Sequence, residues 1–474
     1  MNSYFTWFKK LINILIKIFY ILAIIATLFV FTSSFNGIVK IALLIVAFIG
    51  FSLSMYFFRG NIKSKIEFSI EKISKVDEKK LLLIIVITLI VLKIIYTLLF
   101  YFDSTLGGDI ELYNQIGDEL LNSGTIAPDM IAHLLGIGVH LAIFKFIKLP
   151  LHIGMFILLL CGTIINFLSF KKIVGKEKAF ILIMLYVIMP STNLLSFCIT
   201  HEILVYFYLS LFLFMFNNLI YENSRVKLVI YLLFTILATI LVCFVNPGGY
   251  IVYVIMLLSL ILSNIKSVKK IVIVICLLLS LVGNTLITNS INNNSGNSTS
   301  LNSYVILIHG TNPQSLGEQV DGYPMHTIRQ YLRENNLEIN DDNYIIGAKG
   351  VLKNQCLYLI SHPINLLKLV SNKIYRLWSG NHYSIELGYK YNAMNEYVYY
   401  GMLLISTLIY LFVISISILY REKNNDDVSI SNYKLALLGA FVVTMMSIVT
   451  NKYSLYVTLF IYFISFYKID MDNK

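Results

Sequence analysis

The sequence predicts an all-α polytopic membrane protein with about twelve transmembrane helices. Of its 474 residues, 57% are hydrophobic and 13% are charged, and the mean hydropathy is +0.76. A soluble fold of this length could not carry that composition, because most of its surface would be apolar. Apolar runs of bilayer length recur along the chain, and short loops rich in Lys and Arg separate them, as expected for a chain that crosses a membrane repeatedly.

The positive charge of the chain belongs to these loops. The net charge is +11. The loop between the second and third apolar runs alone carries Arg59, Lys63, Lys65, Lys72, Lys75, Lys79 and Lys80. Loops of this kind lie on the cytoplasmic side of a membrane, so we expect both termini in the cytoplasm and give no weight to nucleic-acid binding. The five cysteines fall mostly in or beside apolar runs and do not form a disulfide framework.

The basic loops are cytoplasmic and each span changes the side of the membrane, so the positions of these loops fix the predicted spans and the order of the larger segments. In chain order the spans are about 11–32, 39–58, 81–102, 150–170, 179–191, 202–220, 229–245, 250–263, 271–288, 397–420, 435–450 and 453–467. The chain then divides into an N-terminal transmembrane module at 1–288, an extracytoplasmic segment at 289–395 and C-terminal transmembrane helices at 396–474. We find no internal repeat of the kind seen in many secondary transporters.

An acidic stretch without Lys or Arg, 103–134, follows the third span and lies outside by parity. The next segment, 130–148, is moderately apolar and has Lys145 and Lys148 near its end. Only one crossing fits between the acidic loop and the basic turn KKIVGKEK at 171–178. We therefore predict that 130–148 lies on the outer membrane surface as an interfacial helix.

The segment 289–395 is polar and mixed in composition, and parity places it outside the membrane. It opens with NSINNNSGNSTSLN, which is typical of a linker, and shows a helical pattern from 344 to 378. We expect a small mixed or helical cap packed over the outer end of the spans.

Within the acidic loop, Asp109, Tyr113, Gly117, Leu120 and Gly124 share one face of a predicted helix that begins with an acid and ends in a glycine cap. An Asp just beyond a span can orient or deprotonate the hydroxyl of an acceptor. It can equally serve as the N-cap of a surface helix. Asp103, nearer to the membrane, is the competing acid.

This order of features resembles the GT-C glycosyltransferases, in particular the bacterial branch of protein O-mannosyltransferases and lipid A aminoarabinose transferases. The resemblance rests on the outer loop with D-x-x-x-Y and a later glycine, a surface helix, a basic cytoplasmic turn, and the outer loop STNLLSFCITHE after Pro190. The family has a second acid in this loop, which corresponds to Glu202. Later matching residues are Gly310, Asn312, Gly317, His362, Pro363, Lys373, Tyr375, Arg376, Trp378 and the pair Lys452 and Tyr453.

The sequence departs from the family pattern at two places. Asn246-Pro247-Gly248 stands where Arg or Lys often precedes the proline, and the first outer loop has no Asp-Glu dipeptide. These departures concern recognition of the donor.

The resemblance implies a membrane glycosyltransferase that moves a sugar from a polyprenyl-phosphate carrier to an acceptor in the cell envelope, with inversion at the anomeric carbon. It implies Asp109, Glu202 and Asp103 as catalytic candidates, with Asp109 as base or acceptor anchor, and Tyr113, His201 and Tyr453 as substrate-binding residues. Fixed cations must meet the charge that develops on the leaving phosphate. The candidates are Lys145, Lys148, Lys373, Arg376 and Lys452, for each of which snorkelling toward lipid head groups is the alternative.

Other functions remain open at this stage. A flippase or transporter of lipid-linked glycans would need charges along a central path, and Lys93, inside the third span, is the main residue that fits it. Pairing of Lys93 within the helix bundle is the alternative. A non-catalytic envelope assembly protein is a third hypothesis. His201 and Glu202 alone are a weak metal signal, so a divalent cation stays open as a cofactor. We expect a bacterial plasma membrane location, with the active site on the outer face and membrane lipids as partners.

Overall fold

The computed structural model describes residues 2–31, 37–100, 110–124, 135–262, 267–295, 299–316, 322–339, 341–378, 383–390, 393–419, 433–435, 437–439, 441 and 454–467. Within these ranges the chain is helical and contains no strand. Apolar side chains face outward along many of these helices, as expected where lipid replaces water around a bundle. The predicted fold class, an all-α polytopic membrane protein, is confirmed.

One main core, which also includes residues of later helices, is built by the helices up to Ser295. They are α1 (Asn2–Phe31), α2 (Gly37–Ser74), α3 (Glu78–Leu99), α4 (Ile110–Ser123), α5 (Leu135–Phe146), α6 (Leu151–Val174), α7 (Lys176–Ile188), α8 (Pro190–Leu194), α9 (His201–Tyr221), α10 (Arg225–Val245), α11 (Ile251–Leu262) and α12 (Ser267–Ser295). Helix α9 lies at the centre of this core. Its buried residues are distributed around the helix, and it packs against α6 and α10.

The later helices form an external group and a return to the bundle. They are α13 (Thr299–Gly310), α14 (Tyr323–Glu334), α15 (Asp341–Ser361), α16 (Pro363–Trp378), α17 (Tyr383–Lys390), α18 (Glu396–Leu419) and α19 (Ser454–Tyr467). Helices α13, α14 and α15 enclose a small core of their own, built from Ile308, Ile328, Leu332, Ala348 and Val351. Helix α16 packs instead against α1 and α19 of the main bundle.

Eight helices of the described part are long and apolar enough to cross a membrane, or nine if a bent pair counts as one span. The predicted number of twelve is therefore not confirmed. Two predicted spans are short: Ile251–Leu262 has 12 residues and Ser454–Tyr467 has 14, against about 20 for a full crossing. Most of the predicted span 435–450 lies outside the described residues.

The predicted span 179–191 is a bent pair in the structure. Helix α7 and the segment Pro190–Phe197 meet at an angle of 67°. The bend falls at Met189, before Pro190, which occupies the first position of α8, where its missing N–H is tolerated. The bent segment is buried and tied to the C-terminal helices: Ser384 Oγ donates to the carbonyl of Ser191 at 2.6 Å, and the N–H of Ser191 donates to Ser406 Oγ at 3.4 Å.

Two further expectations about the external segment are corrected. The predicted linker at 289–302 is helical at both ends, because α12 continues to Ser295 and α13 starts at Thr299. The helical pattern at 344–378 is two helices rather than one, because Pro363 cannot continue α15 and begins α16.

Candidate active site

Helix α4 presents Tyr113 to the interior of the bundle. Tyr113, Ile116 and Gly117 are buried on this helix, and Tyr113 and Gly117 belong to the face predicted from the spacing. The helix ends at Gly124, whose φ of +68° places it in the left-handed region and whose N–H donates to the carbonyl of Leu120 at 3.1 Å. This geometry confirms the predicted glycine cap. A residue with a side chain would be strained at this φ.

Helix α5 packs closely on α4. A Cβ atom at Gly138 would lie 2.3 Å from Ile116 Cγ2, so the two helices approach each other through glycine. Lys145 fastens the pair from the other end: its Nζ lies 2.8 Å from Asp118 Oδ1 and donates to the carbonyl of Asn114 at 3.1 Å. The contacts of Lys145 are thus within the α4–α5 pair. The described part of α5 has 12 residues; the position of 130–148 on the membrane surface stays a prediction.

His201 and Glu202 form the first turn of α9. The Glu202 side chain is 1% exposed and that of His201 is 12% exposed, so the acid is enclosed and the imidazole covers it. A carboxylate in the first turn of a helix is favoured by the unpaired N–H groups and the positive end of the helix dipole. This position stabilises the ionised acid where water cannot.

Tyr113, His201 and Glu202 make a continuous chain of contacts. Tyr113 Oη lies 3.4 Å from His201 Nδ1, and His201 Nε2 lies 2.7 Å from Glu202 Oε1. The second contact has the geometry of a close charge contact and not of a linear hydrogen bond. A carboxylate at this distance favours a proton on Nε2, which leaves Nδ1 to accept a hydrogen bond from the phenol. The two outer loops that the sequence analysis selected therefore meet at one point.

This arrangement can take up a proton. The carboxylate stabilises the positive charge that His201 acquires when Nδ1 is protonated, and the phenol holds the ring in place and can bridge to a hydroxyl group. Such chemistry is that of an imidazole acting as general base, with the carboxylate of Glu202 as the fixed negative charge.

Lys93 holds the segment that leads into α9. Its ammonium donates to the carbonyl and the hydroxyl of Ser196, at 3.3 and 3.1 Å, and lies 3.2 Å from the ring centroid of Phe197. This is pairing within the bundle, although the partners are a carbonyl, a hydroxyl and an aromatic face. Sequence reasoning missed these partners, since neither an adjacent acid nor a helical spacing points to them.

A second contact that the sequence analysis did not find joins α5 to α9. His140 Nδ1 lies 2.7 Å from the carbonyl of Gly136, which can only accept, so this nitrogen carries the proton. His140 Nε2 then accepts from the hydroxyl of Tyr208 at 2.6 Å. The pair fixes the α4–α5 unit, and with it Tyr113, against the helix that carries Glu202.

The remaining predicted site residues are placed elsewhere or lie outside the described part. Asp103, Asp109, Lys452 and Tyr453 lie outside the described residues. Lys148 is exposed in the turn after α5, with a left-handed φ of 56°. Lys373 and Arg376 lie on α16; Lys373 is 1% exposed on the face that packs into the bundle. Burial lowers the pKa of the Lys373 ammonium from 10.5 to about 8.

A metal site is a separate question. Among the described residues, no group of three or more His, Cys, Asp or Glu side chains is placed to hold an ion. Asp103 and Asp109 of the first outer loop lie outside the described residues.

Comparison with known proteins gives structural matches only. No protein-family model matches the sequence, and no curated protein does. Two crystal structures of ArnT from Cupriavidus metallidurans, one in the apo state and one bound to undecaprenyl phosphate, match with TM-scores of 0.32 and 0.31 and sequence identities of 11% and 12%. Both matches cover 80% of this chain and 77% of the ArnT chain. ArnT has the GT-C fold that the sequence resembles; at these TM-scores the match assigns no residue, donor or acceptor to this chain.

Proposed function

We propose that the chain is an integral membrane glycosyltransferase that moves a sugar from a polyprenyl-phosphate carrier to an acceptor outside the cytoplasm. The observation that carries the proposal is the enclosed carboxylate of Glu202 in contact with His201, which in turn contacts Tyr113 of the first outer loop. Both loops are those in which the resembled family has its acids. The carrier is of the class bound in one of the ArnT structures.

In the proposed reaction, the acceptor hydroxyl attacks the anomeric carbon as the bond from that carbon to the phosphate oxygen breaks. The phosphate leaves with the electron pair of the broken bond, and the acceptor proton passes to His201 Nδ1. Glu202 stabilises the resulting imidazolium and stays ionised. Attack on the face opposite the phosphate inverts the anomeric configuration. Asp109 or Asp103 would anchor the acceptor in the same outer loop.

The donor phosphate needs a cation that is already fixed, because charge grows on it in the transition state. Among the described candidates we assign this role to Lys373 and Arg376 on α16, where Lys373 is 1% exposed. A lysine enclosed by protein also interacts more strongly with a phosphate than one in water does.

The alternative of a flippase receives less support. The polar groups between α6 and α9 bond to each other: Asn166 Nδ2 donates to Tyr206 Oη at 3.1 Å and to Ser210 Oγ at 2.7 Å, and Thr163 Oγ1 lies 3.2 Å from Tyr206 Oη. Polar groups that bond to each other across a helix interface tie the two helices together.

The test is transfer of a labelled sugar from a purified polyprenyl-phosphate donor to envelope acceptors by the reconstituted full chain. We expect Glu202→Gln to lower the rate roughly 10²-fold to 10⁴-fold. Glu396→Gln is the matched control, since Glu396 is exposed at the start of α18, and it should keep the rate. No transfer by the wild-type protein, with movement of the intact donor across the bilayer, would refute the proposal. Unchanged rates in both Asp103→Asn and Asp109→Asn would remove these acids from the mechanism.

A further inference from the structure

A cavity lies at the other end of the α6–α9 pair from the candidate active site. Its volume is about 310 Å³, and its lining includes Ser169, Lys172, Phe214, Asn217, Asn218 and Tyr221. Along α9, Asn217 lies about 22 Å from Glu202, at 1.5 Å per residue. The cavity is therefore separate from the candidate active site and faces the opposite side of the bundle.

The lining combines one cation with neutral polar groups. Two of these groups also bond within the protein: Asn218 Nδ2 donates to the carbonyl of Phe214 at 2.7 Å, and Ser169 Oγ lies 2.9 Å from Tyr433 Oη. Lys172 Nζ donates to Asn218 Oδ1 at 2.6 Å and lies 5.2 Å from the ring centroid of Phe214. Asn217 is 7% exposed, and its carboxamide turns toward the cavity from the wall of α9. Amides, a hydroxyl and an ammonium are the donors that bind phosphate oxygens in proteins.

The charges around the cavity leave an excess of cations. Lys171 is paired with Glu78, so these two cancel. Lys172 and Lys227 remain against Glu222, whose Oε1 already accepts from the N–H groups of Asn223 and Ser224 at 2.9 Å. Lys269, bonded to the carbonyls of Leu219 and Glu222, adds a further positive charge at this rim. An anion entering the cavity meets a positive field.

We infer that this cavity binds the phosphate group of an anionic membrane lipid or of a soluble phosphate ester. A volume of about 310 Å³ is at the lower end of the range for ligand pockets, which suits a head group rather than a whole lipid. Tyr221 is 49% exposed at the rim, a position typical of aromatic side chains at the membrane surface. Val226 and Val229 of α10 are also exposed, and they offer an apolar surface to lipid chains. The inference does not depend on the proposed glycosyl transfer.

The test uses the purified full chain in detergent and native mass spectrometry of retained ligand. Three probes are compared: dioleoylphosphatidylglycerol, dioleoylphosphatidylcholine and inorganic phosphate. We expect one phosphatidylglycerol or phosphate to be held in preference to phosphatidylcholine. Lys172→Gln should lower its retention about fivefold, the effect of one surface cation on an anionic lipid.

Two more variants separate the cavity from the general surface charge. Asn218→Asp keeps Lys172 but neutralises it in place, and should lower retention as much as Lys172→Gln does. Arg225→Gln removes an exposed cation at the same end of the bundle that does not line the cavity, and should retain the ligand as the wild type does. Preference for phosphatidylglycerol identifies a lipid source, and preference for inorganic phosphate a soluble one. Equal retention in all four proteins, or an equal loss in Arg225→Gln, overturns the inference.

Discussion

Charges of opposite sign lie near the two ends of α9, and they differ in burial: one is enclosed by protein and the other lines a cavity. At its first turn, Glu202 is 1% exposed, and His201 covers it. Near its last turn, Lys172 of the neighbouring helix stands at the rim of a cavity that is open to a ligand. An enclosed charge keeps a fixed orientation and acts strongly on a nearby proton, whereas a charge at a rim exchanges its partner with the surroundings. We therefore assign chemistry to the first end and reversible binding to the second.

The middle of the same helix pair is built differently from either end. Tyr206 fits against α6 at Gly162, where a Cβ atom would lie 2.6 Å from its ring, and its hydroxyl meets Thr163 and Asn166. These groups have no net charge, and they bond across the interface. They fix the distance between the enclosed acid and the open cation.

The largest effect is expected at the enclosed end. His201→Phe keeps an aromatic ring of similar size but removes both ring nitrogens: Nδ1, which contacts Tyr113, and Nε2, which contacts Glu202. Glycosyl transfer should fall roughly 10²-fold or more, because the proton acceptor is lost, while the melting temperature stays within a few degrees. His326→Phe, at an exposed position of α14, serves as the control. A wild-type rate in His201→Phe would mean that the contact chain has no chemical role.

The next effect concerns a cation that is enclosed rather than placed at a rim. Because burial lowers the pKa of Lys373 from 10.5 to about 8, the unfolded chain binds more protons than the folded one between these values. The free energy of unfolding should therefore rise with pH across this window, by up to roughly 3 kcal/mol. Below pH 8 the folded protein carries the full penalty of an enclosed ammonium.

Lys373→Met should remove this rise, and the variant should be more stable than the wild type at pH 7. The measurement is thermal unfolding in detergent between pH 7 and pH 10. Lys368→Met is the control, because Lys368 is exposed on the same helix, and it should follow the wild-type curve. If the melting temperatures of Lys373→Met and the wild type changed with pH in the same way, the enclosed charge of Lys373 would not reduce the stability of the fold.

The smallest effect is expected in the middle of α9. Asn166→Leu preserves the volume but removes the donor to Tyr206 and Ser210. The free energy of unfolding should fall by about 1 kcal/mol, the usual scale for a polar contact between membrane helices. Unfolding by denaturant measures it, with Asn122→Leu on the exposed side of α4 as the control. A loss of transfer larger than that of His201→Phe would place the chemistry in the middle instead.

The sequence was sufficient for the fold class and for part of the candidate site. Hydropathy locates the long helices because a bilayer demands about 20 apolar residues. The spacing of Tyr113, Gly117 and Gly124 predicted their shared face and the glycine cap of α4. The resemblance selected Tyr113, His201 and Glu202 from two distant loops, and the structure brings these three into contact. Their roles in a reaction remain predictions.

Other features depend on tertiary contacts that no local pattern contains. The bend at Met189 turns a predicted span into two pieces, because Lys93 and the serines of later helices hold the second piece. The partner of His140 is on a different helix, 68 residues away. Likewise, the amphipathic pattern of α16 does not reveal that a lysine occupies its inner face, since spacing predicts that face to be apolar.

The ties of the bent segment also set an order of assembly during synthesis. Ser191, which precedes the His201–Glu202 turn, reaches its partner Ser406 across 215 residues of chain. At about 5 to 20 residues per second, the ribosome needs roughly 10 to 40 s to deliver that partner after Ser191 itself. During this interval α6 and α9 can already be in the membrane, and the segment leading to the acid already has its contact with Lys93. The contacts that hold the segment before the His201–Glu202 turn are thus complete only when α18 has been made, and truncation before α18 would remove the Ser191–Ser406 contact.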